Sequence, residues 1–574
     1  MNGGCRQACD PAARPNCIRP LAAAVLAAAA TMPGAAEEPA TRFRDVTAQS
    51  GIAFESGMRG IDGFPFVDLM ARTSAAAGDY DSDGDIDVFI VRGDIGPNLL
   101  YRNDGGLRFT EVAAAAGLAF TRPPEGNYRH AGPTFADIDG DGHLDLFVGG
   151  LQGDPSRLYR NNGDGTFTDV TRHSGLDAMS AEQTFSAAFG DYDLDGDLDL
   201  ALAHWGTARP GVLHMRETTR GLFTEHLWRN DSDEQGIRFT RASAAAGIAA
   251  TILTLPDPEE PFPDGHPSLS RDWTFTPTFA RIDGDRYPDL LFAADFNRSQ
   301  VFLNNRDGTF RNATDPGVLI DDHGMGSAVA DFDADGDLDW FVTSVYYGGP
   351  GETPDPFRGN RLYRNDGGVF VDATDAAGVV DGGWGWAACA IDFDNDGNLD
   401  IYHTNGWISL GSYDADYTAD RSRAFVGHGD GTFTDRAAEL GLDDTEFGRG
   451  AVCADFDNDG DVDILLLHES ATLWENLTTG ANHLRVLLRG APPNTEAVGA
   501  RISVTTASAA GPRTRMRELT LGSNYLSQNP LLQVFGLDAA TECDVEVEWP
   551  DGRRTSLRGV SAGQTLRLTH PALH

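Results

Sequence analysis

Seven times the chain carries a nine-residue phrase in which most alternate positions are acidic. The first copy is Asp79-Tyr80-Asp81-Ser82-Asp83-Gly84-Asp85-Ile86-Asp87. Others start at Asp137, Asp191, Asp331, Asp392 and Asp455, with an altered one from Arg281. Like charges packed this densely repel one another unless a cation sits among them. Carboxylates at positions 1, 3, 5 and 9, with glycine at position 6 for the sharp turn, suit an oxygen cage around one hard ion. The phrase therefore constrains the chemistry, and its repetition constrains the fold.

The expected ligands follow position by position. They are Asp79, Asp81, Asp83 and Asp87 in the first copy, and Asp137, Asp139, Asp141 and Asp145 in the second. The third has Asp191, Asp193, Asp195 and Asp199; the fifth has Asp331, Asp333, Asp335 and Asp339. The sixth has Asp392, Asp394, Asp396 and Asp400; the seventh has Asp455, Asp457, Asp459 and Asp463. By analogy with the EF-hand, position 7 adds a carbonyl, which brings in Asp85, Asp197, Asp337, Asn398 and Asp461. The loop is not an EF-hand, because no glutamate stands consistently at position 12 and the flanks read as strands. Mg²⁺ fits less well than Ca²⁺, since it resists exchanging its waters for an all-protein cage. Seven copies in one register argue against metal-free solvated turns. In the fourth copy Arg281 replaces the first aspartate and Arg286 the glycine, leaving Asp283, Asp285 and Asp289. There a guanidinium is expected to stand in for the cation and pair with those carboxylates. Ca²⁺ is thus expected at about six sites, with none in the fourth repeat.

Each loop sits inside a longer unit that recurs roughly every 60 residues. A phrase beginning at Phe43, Phe109, Phe167, Phe239, Phe310, Phe370 or Phe433 precedes the loop, and phrases such as Leu100-Tyr101-Arg102-Asn103-Asp104-Gly105 follow most loops. Asn-Asp-Gly between apolar runs is a hairpin turn. Runs such as Ile86-Asp87-Val88-Phe89-Ile90 carry the β-branched and aromatic bias of strands. Four short strands per unit and seven units predict an all-β fold, a seven-bladed β-propeller. The phrase from Phe43 is expected to complete the last blade and so remove the ring's free edges. The Pro- and acid-rich stretch Leu255 to Pro267 reads as a surface insertion. From about Ala481 the aspartate loops stop, arginine rises, and alternating runs such as Val498 to Val504 predict a small β-rich C-terminal domain. The expected division is a signal peptide over 1–36, the propeller over 37–480 and the C-terminal domain over 481–574.

The formal net charge is −43, yet hydrophobic residues make up 41% of the chain, so the acids do not form a disordered tail. Every basic residue is arginine, and no basic face is available to hold nucleic acid. Arg14 and Arg19 precede the apolar run Leu21 to Met32, and small residues continue to Ala36. That is an export signal too short for a membrane span, so a secreted, periplasmic or cell-surface protein is expected. Beyond the leader the cysteines are Cys389, Cys453 and Cys543. An odd, widely spaced set predicts buried inert thiols rather than a disulfide framework, leaving metal as the stabiliser.

If the loops line one face of a disc, the opposite strand ends carry Arg92, His130, His204, Trp205, Trp273, His323, Trp384, Trp386, Asn405, Arg449 and His468. Aromatics and cations at a channel mouth form a candidate ligand face for a glycan or peptide, and the competing reading is internal packing. Gly-x-Ser-x-Gly, His-Glu-x-x-His, Cys-x-x-Cys and phosphate-loop motifs are absent. Carboxylates committed to Ca²⁺ are also poor general acids. The sequence therefore reads as a monomeric binding or adhesion module for protein or glycan ligands, not an enzyme. The alternatives are an extracellular enzyme acting on polysaccharide, or a purely structural module.

Asp-x-Asp-x-Asp-Gly-x-x-Asp joined to Arg-Asn-Asp-Gly-x-Phe resembles the FG-GAP/VCBS repeat of integrin-α-like propellers. Val498-Gly499-Ala500-Arg501, Arg517-Glu518, Gly522 to Gln528, Phe535-Gly536-Leu537 and Trp549-Pro550-Asp551-Gly552 resemble an ASPIC/UnbV domain. The pairing is similar to the cartilage acidic protein family. The resemblance implies Ca²⁺ in the loops, an extracellular setting and adhesion or ligand binding, and it brings no enzymatic residues. It leaves open whether Arg517-Glu518 and Tyr525 to Gln528 pack on the propeller or bind a partner.

Overall fold

The computed structural model describes residues 42–59, 66–122, 126–178, 183–205, 225–249, 272–346, 359–407, 417–508, 511–522 and 524–574. The expected leader and the Leu255–Pro267 insertion lie outside the described residues.

Seven antiparallel sheets share one plan. In the first, Ser74–Gly78 is a fully buried strand of small residues, which lets neighbouring sheets crowd together at a ring axis. The aspartate loop reverses the chain, and Asp87–Val91 returns with Gly78 opposite Asp87. Leu99–Asn103 and Phe109–Glu111 follow outward. Burial fades in the same direction, until only Phe109 of the outermost strand is buried. The inner strands therefore carry near-continuous apolar runs, whereas the outer ones carry polar residues.

The plan recurs from His130–Ala136, Thr184–Gly190, Thr274–Ala280, Ser327–Ala330, Gly385–Ile391 and Gly450–Ala454. The seventh sheet takes its outer strand from the start of the chain: Phe43–Asp45 pairs with Ala471–Asn476, Phe43 opposite Asn476. Each innermost strand packs against the next, and Gly450–Ala454 packs against Ser74–Gly78, so the sheets form a ring. Apolar clusters fill the wedges between sheets; Phe89 and Leu100 of the first, for example, meet Phe135 and Val148 of the second. The expected seven-bladed β-propeller is the observed architecture.

The asparagine of the Arg-Asn-Asp-Gly phrase does more than begin a turn. Asn161 Nδ2 donates to the Tyr80 carbonyl in the preceding blade's loop, 2.9 Å away. Asn103, Asn230, Asn304, Asn365 and Asn476 make the same bond to Phe456, Ile138, Tyr192, Ile282 and Phe393. Each bond satisfies a buried carbonyl that would otherwise lose its water without compensation. In the sixth blade Gly427 takes this place, because a Cβ there would lie 2.1 Å from the Leu399 carbonyl oxygen.

Beyond the ring the chain builds two more sheets. One orders Gln533–Asp538, Asn482–Arg489 and Gln564–Thr569; the other orders Gly511–Glu518, Arg501–Ser508, Glu542–Glu548 and Arg554–Ser561. Val486, Ile502, Val547 and Trp549 are among the residues of their core. This section is β-rich, as expected, but it is not separate from the ring. Between Glu518 and Gln533 it enters the ring axis. Leu521–Gly522 pairs with Phe189 and Ala188, and Ser527–Gln528 runs parallel to Ala75 and Ala76. The Asn524 carbonyl accepts from the Ser327 and Ala388 amides, and its Nδ2 donates to the Ala451 carbonyl at 2.9 Å. Gln528 exchanges hydrogen bonds of 2.7 and 2.8 Å with the Phe135 backbone. Tyr525 is fully buried between Phe275 and Trp386. Packing on the propeller is thus the role of Tyr525 to Gln528.

The cysteine expectation is overturned. Cys389 and Cys453 form a disulfide, with Cα atoms 6.5 Å apart, between the innermost strands of the sixth and seventh blades. Their separation of 64 residues looks too wide for pairing but is about one repeat, so ring geometry sets equivalent positions side by side. Cys543 is free and buried.

Candidate functional site

In the aspartate loops, glycine at position 6 adopts the left-handed conformation expected, for instance φ 101° at Gly84 and 95° at Gly460. Its amide then points inward and donates to Oδ2 of position 1, at 3.0 Å in both loops. Position 9 is fully enclosed. Asp87 accepts the Tyr80 amide at 3.2 Å and the Asn103 amide at 2.8 Å, and so ties the loop to two strands. What remains is a set of buried oxygens without partners: Oδ1 of Asp79, Asp191, Asp331, Asp392 and Asp455. Five equivalent orphans, each beside other carboxylates, are oxygens that a hard cation could satisfy.

Positions 1, 3 and 9 bring oxygens within 4.8 Å of one another in the first, second, third and sixth loops; in the fifth it is Asp331, Asp333 and Asp335. Position 5 joins this close set only in the fifth loop among those named; its Oδ1 accepts the amide of position 7 there as elsewhere, at 2.9 Å for Asp335 with Asp337 and for Asp83 with Asp85. Side chains at position 7 are committed elsewhere. Asp461 accepts from Asn395 at 2.6 Å, Asp337 from the Gly367 amide at 2.9 Å, and Asn398 from Arg513 at 3.0 Å.

Burial, followed by the neighbouring carboxylates, drives the acids toward protonation. Asp191 is pushed up to about 7 and Asp392 to about 8. Asp145, Asp199, Asp400 and Asp463 are pushed well above the carboxylate range, chiefly by burial. A divalent ion in the cage would offset both causes.

The fourth loop departs from expectation in its pairing. Arg281 is buried, but its guanidinium reaches Glu548 of the C-terminal section at 2.6 Å and the Asp285 carbonyl at 2.7 Å, not the loop's carboxylates. Its backbone amide donates to Glu518 at 2.9 Å, and Glu518 in turn pairs with Arg501 at 2.7 Å. Asp285 is paired with Arg306. Arg286, with no left-handed φ, leaves position 6 without the turn that the other loops use.

The C-terminal section lies against the loop face. Arg485 pairs with Asp455 at 2.7 Å, Thr495 donates to Asp137, the Gly536 amide donates to Asp392 at 3.1 Å, and Arg515 donates to the Gly397 carbonyl. Sequence reasoning missed this docking. Its signal was the rise of arginine after Ala481, facing loops rich in aspartate.

The structure favours the packing alternative for the candidate ligand face. Its side chains are mostly enclosed, because helix Phe66–Ala71 and the axis segment pack against them. Arg449 lies over Trp386, 4.5 Å from the ring centroid, and donates to the Leu69, Gly406 and Gly448 carbonyls. Trp384 stacks on Trp407 at 4.8 Å. His130 is fully buried against the Pro155 carbonyl, and burial pushes it down to about 4. His204 is buried beside Thr184 and the Glu225 carbonyl, and His468 beside Thr472. Trp273 packs edge-on to Trp205, which donates to Asp295 at 3.0 Å; His323 contacts the same carboxylate at 2.6 Å. Arg92 and Asn405 are likewise spent, on the Pro97 carbonyl and on Asp420. Most of these side chains are thus engaged in contacts within the ring, with Arg92, Trp205 and His323 partly exposed.

Comparison with known proteins agrees with this anatomy. Residues 79–148, 137–202, 281–342 and 345–403 match the FG-GAP-like repeat, and residues 490–573 match ASPIC and UnbV. The chain is similar to cartilage acidic protein 1 of Homo sapiens, at 26% identity over 86% of this chain and 72% of that protein. It is also similar to the Mus musculus protein, at 25% identity over 86% of this chain and 73% of that one. Among solved structures it overlays loosely on exotype rhamnogalacturonan lyase YesX (15% identity, 86% of this chain and 73% of that chain, TM-score 0.35). A second loose overlay is the V. cholerae biofilm matrix protein Bap1 (11% identity, 89% and 71%, TM-score 0.30). Neither overlay is tight enough to bear on function. With FG-GAP-like repeats followed by an ASPIC and UnbV domain, the chain matches the family of cartilage acidic protein 1.

Proposed function

We propose that this is an exported, calcium-stabilised binding module for protein or glycan ligands, whose aspartate loops hold Ca²⁺ and brace the ring. The observation that carries the metal reading is the row of buried, unpartnered Oδ1 atoms on Asp79, Asp191, Asp331, Asp392 and Asp455. Carboxylates at positions 1, 3 and 9 would supply the charge, and oxygen donors alone favour a hard ion. The fourth loop has an arginine at position 1 and would hold none. Likeness to cartilage acidic protein 1 supports the extracellular setting, and no described helix is long and apolar enough to cross a membrane. The test is a calcium titration by calorimetry, with thermal melts in calcium and in EGTA. The reading expects several binding events and a higher melting temperature with calcium, and an unchanged melt overturns it. Binding is tested by a glycan array and a pull-down on the calcium-loaded protein, beside a polysaccharide-degradation assay. Degradation without retention would favour an enzyme.

A further inference from the structure

The C-terminal section touches most of the loop face directly, Thr495 meeting Asp137 in the second blade's loop, but a gap is left between it and the loops of the first two blades. The gap is a cavity of about 550 Å³, within the size range of small-molecule sites. Its walls are largely apolar: Phe135 and Leu144 come from the ring, and Leu487, Leu531 and Leu532 from the C-terminal section. The four leucines are only half-buried, so they leave apolar surface facing the gap. Arg489 and Arg567 also line it. Neither has an ion-pair partner among the described residues, and the Arg567 guanidinium lies against Gly84 of the first loop. Both arginines are exposed beside the apolar floor, whereas Arg485, Arg281 and Arg501 are spent on Asp455, Glu548 and Glu518 elsewhere in the interface.

We infer that this cavity binds an amphipathic anion: one apolar chain on the leucines and one anionic head between Arg489 and Arg567. Arginine suits such a head because its fork donates more than one hydrogen bond to a carboxylate, sulfonate or phosphate. The inference rests on the calcium reading in one respect. Asp79, Asp141 and Glu496 also line the gap; Glu496 accepts the Asp137 amide at 2.8 Å, and with the two loops loaded the aspartate charge is offset, leaving the exposed arginines to set the sign where a head would sit.

The test uses the full calcium-loaded chain, titrated below the micellar range with decanesulfonate and with decyltrimethylammonium, which has the same tail and the opposite head. Decanesulfonate is expected to bind and the cation not to. Arg489→Gln with Arg567→Gln is expected to weaken decanesulfonate about tenfold or more, as for lost hydrogen bonds to a charge, without moving the melting temperature. Arg567→Glu is expected to shift preference toward the cation. Equal binding of both probes, no binding of either, or full affinity in the double variant overturns the proposal. Calcium content is measured in the same samples. Its absence overturns the metal reading by itself, while dependence on the two arginines judges the cavity.

Discussion

Arg485 Nε lies 2.7 Å from Asp455 Oδ2, and the carboxylate it meets is wholly shielded from solvent. One residue belongs to the C-terminal section and the other opens the seventh aspartate loop, so a docking contact and a proposed metal ligand share one carboxyl group. Removing one partner of a buried pair strands the other charge, at about 3–5 kcal/mol. Arg485→Ala is therefore expected to lower the melting temperature sharply in EGTA. Calcium is expected to restore part of the loss, because the ion can face the stranded carboxylate. Thermal melts of the variant with and without calcium check this.

The metal-free protein is expected to prefer acid. Asp79 is pushed up to about 6, Asp191 to about 7, and Asp87, Asp339 and Asp392 to about 8, each chiefly by burial. These folded-state values lie above the unfolded value near 3.8. Their contribution is therefore full when the acids are protonated and is lost as pH rises through about 6 to 8. Metal-stripped protein should unfold at lower urea at pH 8 than at pH 5. Calcium should reverse that order at pH 8 and bind more weakly at pH 5, where protons compete for the same oxygens.

Asn161→Ala removes the donor to the Tyr80 and Leu144 carbonyls, at 2.9 and 3.1 Å. Two buried acceptors lose their partner, which should cost about 1–3 kcal/mol. Urea unfolding measures it. The effect should persist in saturating calcium, since the bond links blades and not ligands.

Tyr525→Ala empties a fully buried site between Phe275 and Trp386. By analogy with other large aromatic truncations the loss is about 3–5 kcal/mol. A chain ending at residue 480 loses the whole axis segment, and a folded ring is not expected. Circular dichroism and gel filtration of the truncated protein decide the matter, and a cooperative melt at the wild-type temperature would contradict it.

The ring was legible because each aspartate loop marks a reversal between two strands, and seven marks in register count seven blades. Phe43–Asp45 was legible as the closing strand for the same reason: its phrase precedes every loop and would otherwise be left over. Pairing that depends on closure was not legible. Asn161 and Tyr80 are 81 residues apart, and only the ring sets them together. Cys389 and Cys453 meet for the same reason. For the indoles and histidines at the far strand ends, a ligand face and internal packing both stayed open, because sequence gives their place along a strand, not what covers them. Arg281 was rightly singled out as unlike the other first positions, but its partner Glu548 lies 267 residues away, in a section whose docking left only a compositional trace.

Because its last strand is its first and its hub is spun from residues 519–530, the ring cannot be assembled piecemeal. A growing chain leaves Phe43–Asp45 waiting until Ala471–Asn476 exists, and the axis stays empty until later still. Closure of the ring and filling of its axis therefore both wait on the last hundred or so residues of the chain.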